Sequence, residues 1–266
     1  MMQSIFDRAK VCISSHDPIE KCNLTHQLAG DWNNQKLSQD DDKPVEPIGV
    51  AGRPEKPCLV HPRDVAKRSV HSEKGRIILA HALAHIEFNA INLALDAVYR
   101  FRGMPADYYT DWIKVADEEA SHFELLNTYL TDRGCEYGDY DAHNGLWEMA
   151  VKTAGDVLIR MALVPRVLEA RGLDVTPGLI AKLTLAGDDD FVERLKIIHR
   201  DEIGHVAIGS RWFRYLCEQR NLDSREMFTK LLDEYMDGPL KGPFDDVVRI
   251  QAGFTEQELS DLREKQ

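Results

Sequence analysis

The chain has 266 residues, 43% of them hydrophobic, and its 45 acidic against 33 basic side chains give a formal net charge of −12. That length suits one large domain or two small ones, and that apolar fraction rules out wholesale disorder. The acidic balance, with a sequence pI near 5.3, argues against the positive footprint on which non-specific nucleic-acid binding rests. The opening run MMQSIFDRAKVCISSHDP carries charged and polar residues where a signal peptide needs an apolar core. No run approaches the about 18 consecutive apolar residues of a membrane span, so a cytoplasmic protein that does not engage a membrane is expected. The five cysteines, Cys12, Cys22, Cys58, Cys135 and Cys217, are widely spaced and form no CxxC. This excludes a zinc ribbon or a dense disulfide framework, and the thiols read as small buried hydrophobes.

In chain order, residues 1–72 read as an N-terminal segment, helical at first and then extended. Five of the eleven prolines fall at Pro44, Pro47, Pro54, Pro57 and Pro62. Proline fixes φ and forbids helix interiors and central strands, so this stretch is expected to be a strap lying on the rest of the fold. Residues 73–220 carry four long helical patterns. The first starts at Glu73 and ends at Gly103-Met104-Pro105; the second runs from about Pro105 to Gly134. The third is expected from near His143 to Gly172, with Pro165 as a kink, and a short linking helix opened by Pro177 follows it. The fourth begins after the acidic run Asp188-Asp189-Asp190, which suits a helix N-terminus. Residues 221–266 hold one more amphipathic helix and a Gly/Pro-broken tail. With no β pattern, the expectation is an all-α fold built on a four-helix bundle, with the strap and extra short helices at its edges.

Two of these helices contain Glu-x-x-His: Glu119-Ala-Ser-His122 and Glu202-Ile-Gly-His205. A spacing of three puts carboxylate and imidazole on one helix face, where together they can ligate a metal ion. A di-metal carboxylate bundle needs one further Glu from each of the other two helices. In the first helix the candidate is Glu87, whose neighbours on its face, Ala80, Leu83, Ala84, Ala90, Ile91 and Ala94, are all apolar. A lone ionised Glu there would be costly without a cation. In the third helix, Glu148 and Glu169 compete. Glu87 and Glu119 are 32 residues apart, Glu169 and Glu202 are 33 apart, and Glu148 lies 54 before Glu202. The near-equal spacing selects Glu169 and makes the chain a repeat of helix-Glu, turn, helix-ExxH. The expected metal ligands are therefore Glu87, Glu119, His122, Glu169, Glu202 and His205. Asp117, Glu118 and Asp201 point away as surface carboxylates, and His81 and His85 are expected to bridge helices by hydrogen bonds or lie at the surface. Tyr108, Tyr109, Trp112 and Tyr129 read as packing residues.

The stretches AHIEFNAINLALDAVYRF, ADEEASHFELL, YGDYDAHNGLWEMA, LVPRVLEARGLDVTPG and RDEIGHVAIGSRWF, with the strap GRPEKPCLVHPRD, resemble a bacterial ferritin-like family of unknown function in the di-iron carboxylate superfamily. The resemblance spans roughly residues 45–255 and implies a ferritin-like four-helix bundle with metal roles at the same six residues. It departs at Gly155, where the family often carries His.

Oxygen and nitrogen donors without thiolate favour two Fe ions, with Mn or a mixed Mn/Fe pair allowed by the same ligands. The function expected is that of an O2-activating oxidoreductase, such as a hydroxylase, acting on a small molecule. The alternatives are a ferroxidase or peroxide-scavenging protein, and a metal-stabilised bundle that binds without turnover. No electron-donor motif is legible. A tRNA substrate is left open by analogy with tRNA-hydroxylating relatives, and a homodimer is left open as well.

Overall fold

The computed structural model describes residues 3–40, 43–236 and 238–265. They are predominantly helical, and the one strand pair among them is a two-residue parallel contact, Gln3–Ser4 with Leu37–Ser38. The chain divides into two compact units, residues 1–151 and 152–266.

The first unit is built on α3 (Glu73–Arg100) and α4 (Ala106–Thr131), with α1 (Ile5–Ser14) packed on α3 and α2 (Pro18–Asn33) on α4. Local chemistry sets the ends of these helices. Ser4 caps α1 at Phe6 N, Asp17 caps α2 at Glu20 N with Pro18 in its first turn, and Ser72 caps α3 at Gly75 N. The chain leaves α3 through Gly103, whose φ is +75°. By length and composition α3 could cross a membrane, but 72% of its most apolar window is buried within the protein, as in a core helix.

The proline-rich residues form neither helix nor named strand, and hydrogen bonds tie parts of their backbone to the rest of the first unit. Tyr99 Oη accepts from Glu46 N and donates to Glu46 O, each at 3.1 Å, and Trp147 Nε1 donates to Gly49 O at 3.1 Å. Gly52 N donates to Ile13 O at 2.8 Å, an approach so close that a Cβ at residue 52 would lie 2.3 Å from Ser14 O. Cys58 sits in this strap and is exposed, unlike the other four cysteines, so the expectation that all five are buried is corrected.

The third helix of the sequence reading is also corrected. It breaks into α5 (Gly145–Lys152), α6 (Val157–Leu163), a π-helical turn (Val164–Glu169) and α7 (Ala170–Leu185). The first break comes because Asp156 takes an extended conformation and caps α6 at Leu158 N, while Arg220 holds its carboxylate through two hydrogen bonds of 2.6 and 2.7 Å. Pro165, which lacks an N–H, lies in the first turn of the π-helical segment, where the α-helical hydrogen-bond register is already interrupted. Pro177 lies inside α7 and opens no helix of its own; its fixed φ is helical, so it forfeits one hydrogen bond.

Packed on α6, the π turn and α7 is α8 (Asp189–Gln219), followed by α9 (Ser224–Tyr235), α10 (Asp246–Gln251) and α11 (Glu256–Glu264). The closest approach is at Gly209 of α8, where a Cβ would lie 2.2 Å from Pro165 Cγ and 2.3 Å from its Cβ. Replacing a helical glycine by alanine ordinarily stabilises by about 0.5–1 kcal/mol. Gly209→Ala should do the reverse and destabilise by about 1–3 kcal/mol through overpacking. Gly204→Ala, on the same helix with nothing within 4 Å of the added Cβ, should show the ordinary gain. Urea unfolding of the two variants checks the opposite signs.

Candidate metal centre

On α3 and α4 the burial pattern selects residues by face. Glu119 and His122 are 0% and 1% exposed and lie one turn apart on α4, and Glu87, 5% exposed, comes from α3. Each offers a ligand atom within 4.8 Å of the other two. His122 Nδ1 is 3.4 Å from Glu87 Oε2 and 3.4 Å from Glu119 Oε2.

The adjacent carboxylates are engaged elsewhere, as the helical geometry predicts. Asp117 accepts from His26 Nδ1 at 2.6 Å, and Glu118 accepts from Lys114 Nζ at 2.6–2.7 Å on the helix surface.

The electrostatics follow from two carboxylates and one imidazole sharing a dry space. Burial pushes the Glu87 carboxyl well above its ordinary value, and the charge of Glu119 pushes it further in the same direction. For His122 burial works against the charged form, yet the adjoining carboxylates of Glu119 and Glu87 outweigh it and push the imidazole up to about 11. Protons and a metal cation are therefore alternative means of neutralising this cluster. Glu87 Oε2 is buried without a hydrogen-bond partner, which fits a carboxylate oxygen shaped for a cation. These oxygen and imidazole nitrogen donors could hold a metal ion.

The second unit presents the other ExxH pair. His205 is fully buried, with Nδ1 3.6 Å from Glu202 Oε1, and the Glu202 side chain is 14% exposed. Asp201 turns instead to Arg200 at 2.8 Å. Glu169 ends the π-helical turn and is half-buried, whereas Glu148, the competing candidate, is exposed on α5.

Beside the first-unit cluster lies a group that sequence reasoning missed. His85 is buried on α3, with Nδ1 2.8 Å from Tyr137 Oη and Nε2 3.1 Å from the carbonyl oxygen of His143. His81, also buried, accepts from Gly138 N at 2.8 Å and stacks on Tyr137. Both are thus interior hydrogen-bonders; burial pushes each imidazole down to about 4. The only signal was the aromatic spacing of YGDYDAH in a loop without periodicity.

The family described as "Protein of unknown function (DUF455)" matches residues 14–260 of the chain. An uncharacterized protein of Haemophilus influenzae is 46% identical over 269 residues, covering 97% of this chain and 93% of the relative. No solved structure matches.

A divalent cation must displace the proton that His122 holds through its raised pKa. Apparent affinity for Mn(II) should therefore rise with pH between about pH 6 and 8, by close to about tenfold per unit for each proton released. Calorimetric titration across that range checks it; affinity independent of pH would contradict the cluster's role as ligands.

Proposed function

The chain belongs to this DUF455 family of unknown function, and for this member we propose a two-iron carboxylate centre serving an O2-activating oxidoreductase. The observation that carries the reading is the triad Glu87, Glu119 and His122: two like-charged carboxylates buried side by side with one imidazole, an arrangement that a divalent cation neutralises directly. The near-equal spacing of the two ExxH units supports Glu169, Glu202 and His205 as the ligands contributed by the second. Four carboxylates then balance the charge of two divalent ions, and two neutral imidazoles complete the donor set.

When bound, two adjacent ferrous ions would supply the electrons that reduce O2. The protein's own contribution is to fix the donors and keep water out. Each ligand pair on α4 and α8 is set by helical spacing, and Phe88 and Phe123, which directly follow Glu87 and His122, pack their rings together with centroids 5.8 Å apart. Glu87, Glu119 and His122 are themselves 5% exposed or less, and in so dry a setting charge interactions are strong.

Protein produced with iron, or reconstituted anaerobically with Fe(II), is expected to hold two ions per chain, and Glu119→Ala should lose metal. Glu118→Ala, which removes a surface pair with Lys114, should keep it. Equal loss from both variants, or no Fe or Mn in either preparation, would sink the metal centre. Mixing Fe(II)-loaded protein with O2 in a stopped-flow instrument tests the reaction. Oxidation faster than that of free Fe(II), with both ions retained, is the expected result. Release or mineral growth of iron would point to a ferroxidase, and oxidation no faster than free Fe(II) would point to a binding bundle.

A further inference from the structure

Residues 53–76 run against the charge of the rest of the chain. They hold seven Lys and Arg against three Asp and Glu, a net charge of +4 in a chain of net −12. Arg63, Lys67 and Lys74 are exposed, and among the described residues no ion pair joins any of them to a carboxylate. Val65 and Val70 are half-buried in the same stretch, so this part of the strap presents cations beside short apolar side chains.

The second unit carries a surface of the opposite kind. A hollow of about 310 Å³ is lined by Leu232, Met236, Pro239, Leu240 and Leu262, with Asp233 and Lys265 at its edge. Those two residues also line a trough of about 970 Å³ between α9 and α11, whose walls hold six carboxylates and three basic side chains. Two of these cations are already taken: Arg225 gives two hydrogen bonds of 2.7 Å to Asp261, and Lys265 pairs with Asp233. That leaves Asp223, Glu226, Glu234 and Glu264 with Lys230. The result is one groove, apolar at one end and acidic along the other.

Strap and groove are complementary in both respects, cation to carboxylate and valine to apolar hollow. A long polyanion would meet the acidic remainder of the chain as well as the strap, whereas an acidic patch of groove size would meet the strap alone. We propose that the occupant of the α9–α11 groove is a second copy of this chain: the strap of one copy docks there through Lys67 and Lys74, with its valines set against the apolar hollow. Made reciprocally, so that each copy gives a strap and receives one, the exchange closes a two-fold dimer. Charges at such a rim set the rate of encounter and its salt dependence, so the association weakens as salt is added. The proposal does not depend on the metal centre.

Sedimentation velocity of the full-length protein at low salt, from micromolar concentration upward, tests it. Self-association is expected, and Lys67→Glu/Lys74→Glu should weaken it by about tenfold or more. Glu234→Lys/Glu264→Lys should weaken it likewise, because strap and groove then carry the same sign within each variant. Mixed together, the two variants should associate again, since each strap now meets a groove of opposite sign. That recovery also shows that both variants are folded. Carbodiimide coupling of a mixture of isotopically light and heavy wild-type protein should join Lys67 or Lys74 to Glu226, Glu234 or Glu264 in peptide pairs of mixed label. A protein that stays monomeric, association unchanged by either charge reversal, variants that do not recover on mixing, or couplings confined to one chain would each overturn the proposal. A monomer that binds heparin through the strap would assign the strap to a foreign polyanion and overturn it equally.

Discussion

Two carboxylates and one imidazole buried together set the terms for the rest of the first unit. Glu119 and His122 are essentially inaccessible and Glu87 nearly so, and removing such groups from water carries a desolvation penalty of several kcal/mol per ion even after relaxation. The α3–α4 pair can hold this arrangement because its other interior positions supply the offsetting apolar burial. Phe88, Ile91, Ala94, Leu95 and Val98 on α3 face a core shared with Ile113, Ala116, Ala120, Phe123 and Leu126 on α4, each 2% exposed or less. At roughly 25 cal/mol per Å² of apolar surface, the Phe, Ile, Leu and Val side chains among them contribute about 1.5–3 kcal/mol apiece when fully buried. A polar cluster of this kind is therefore affordable only mid-helix, within a continuous apolar surround.

The same helix carries a second line of buried polar groups, and each member is answered by a specific partner. His81 and His85 meet the loop around Tyr137, and Asp96 is bound by Arg100 through Nε and Nη2 at 2.6–3.1 Å. Asn92 accepts from Lys21 Nζ at 2.6 Å, and that ammonium also donates to Ile13 O at 2.8 Å. Lys21 is fully buried with no carboxylate among these partners, and burial lowers its pKa to about 7. Because α1, α2 and the loop must all present the right group to α3, these polar contacts define one docking geometry where apolar packing alone would allow several.

How much of this could be read from the sequence depended on whether the signal was periodic. The turn between α3 and α4 and the start of α8 were legible because Gly103-Met104-Pro105 and the acidic run at Asp188 are local chemistry. The choice of Glu119 over Glu118 and Asp117 was legible for the same reason, since helical spacing assigns faces and the surface partners Lys114 and His26 agree. Glu148 is exposed, whereas Glu169 is half-buried. Periodicity misled where the ladder changes register. A period of 3.6 carried through Pro165 hid the π-helical turn, and the same assumption joined α5 to α6 across the extended Asp156. Tyr137 was invisible because it lies in a loop and meets His85 from 52 positions away. Nothing local marks such a pairing.

In the second unit, a π turn replaces intrahelical order with tertiary contacts, and the structure shows what those contacts are. Arg166, in the middle of the turn, is 1% exposed and its guanidinium lies 4.8, 4.1 and 4.6 Å from the rings of Phe213, Phe228 and Phe254. Burial draws its pKa down and the charge of Glu258 opposes that pull, through a 2.6 Å hydrogen bond from Nη2. Glu258 can answer because its other oxygen closes the capping box of α11, accepting from Thr255 N at 2.9 Å. One turn beyond Glu169, Asp174 on α7 is bound by Arg249 through two hydrogen bonds of 2.8 Å, which ties α10 to the same stretch. Glu258 on α11 thus reaches the π turn, and Arg249 on α10 reaches α7 just after it. Removing either carboxylate would leave a buried guanidinium without its counter-charge, a loss of the order of 3–5 kcal/mol in comparable buried pairs. The conformation at Glu169 is therefore a property of the whole second unit, which is why a motif confined to one helix could name the residue but not describe its setting.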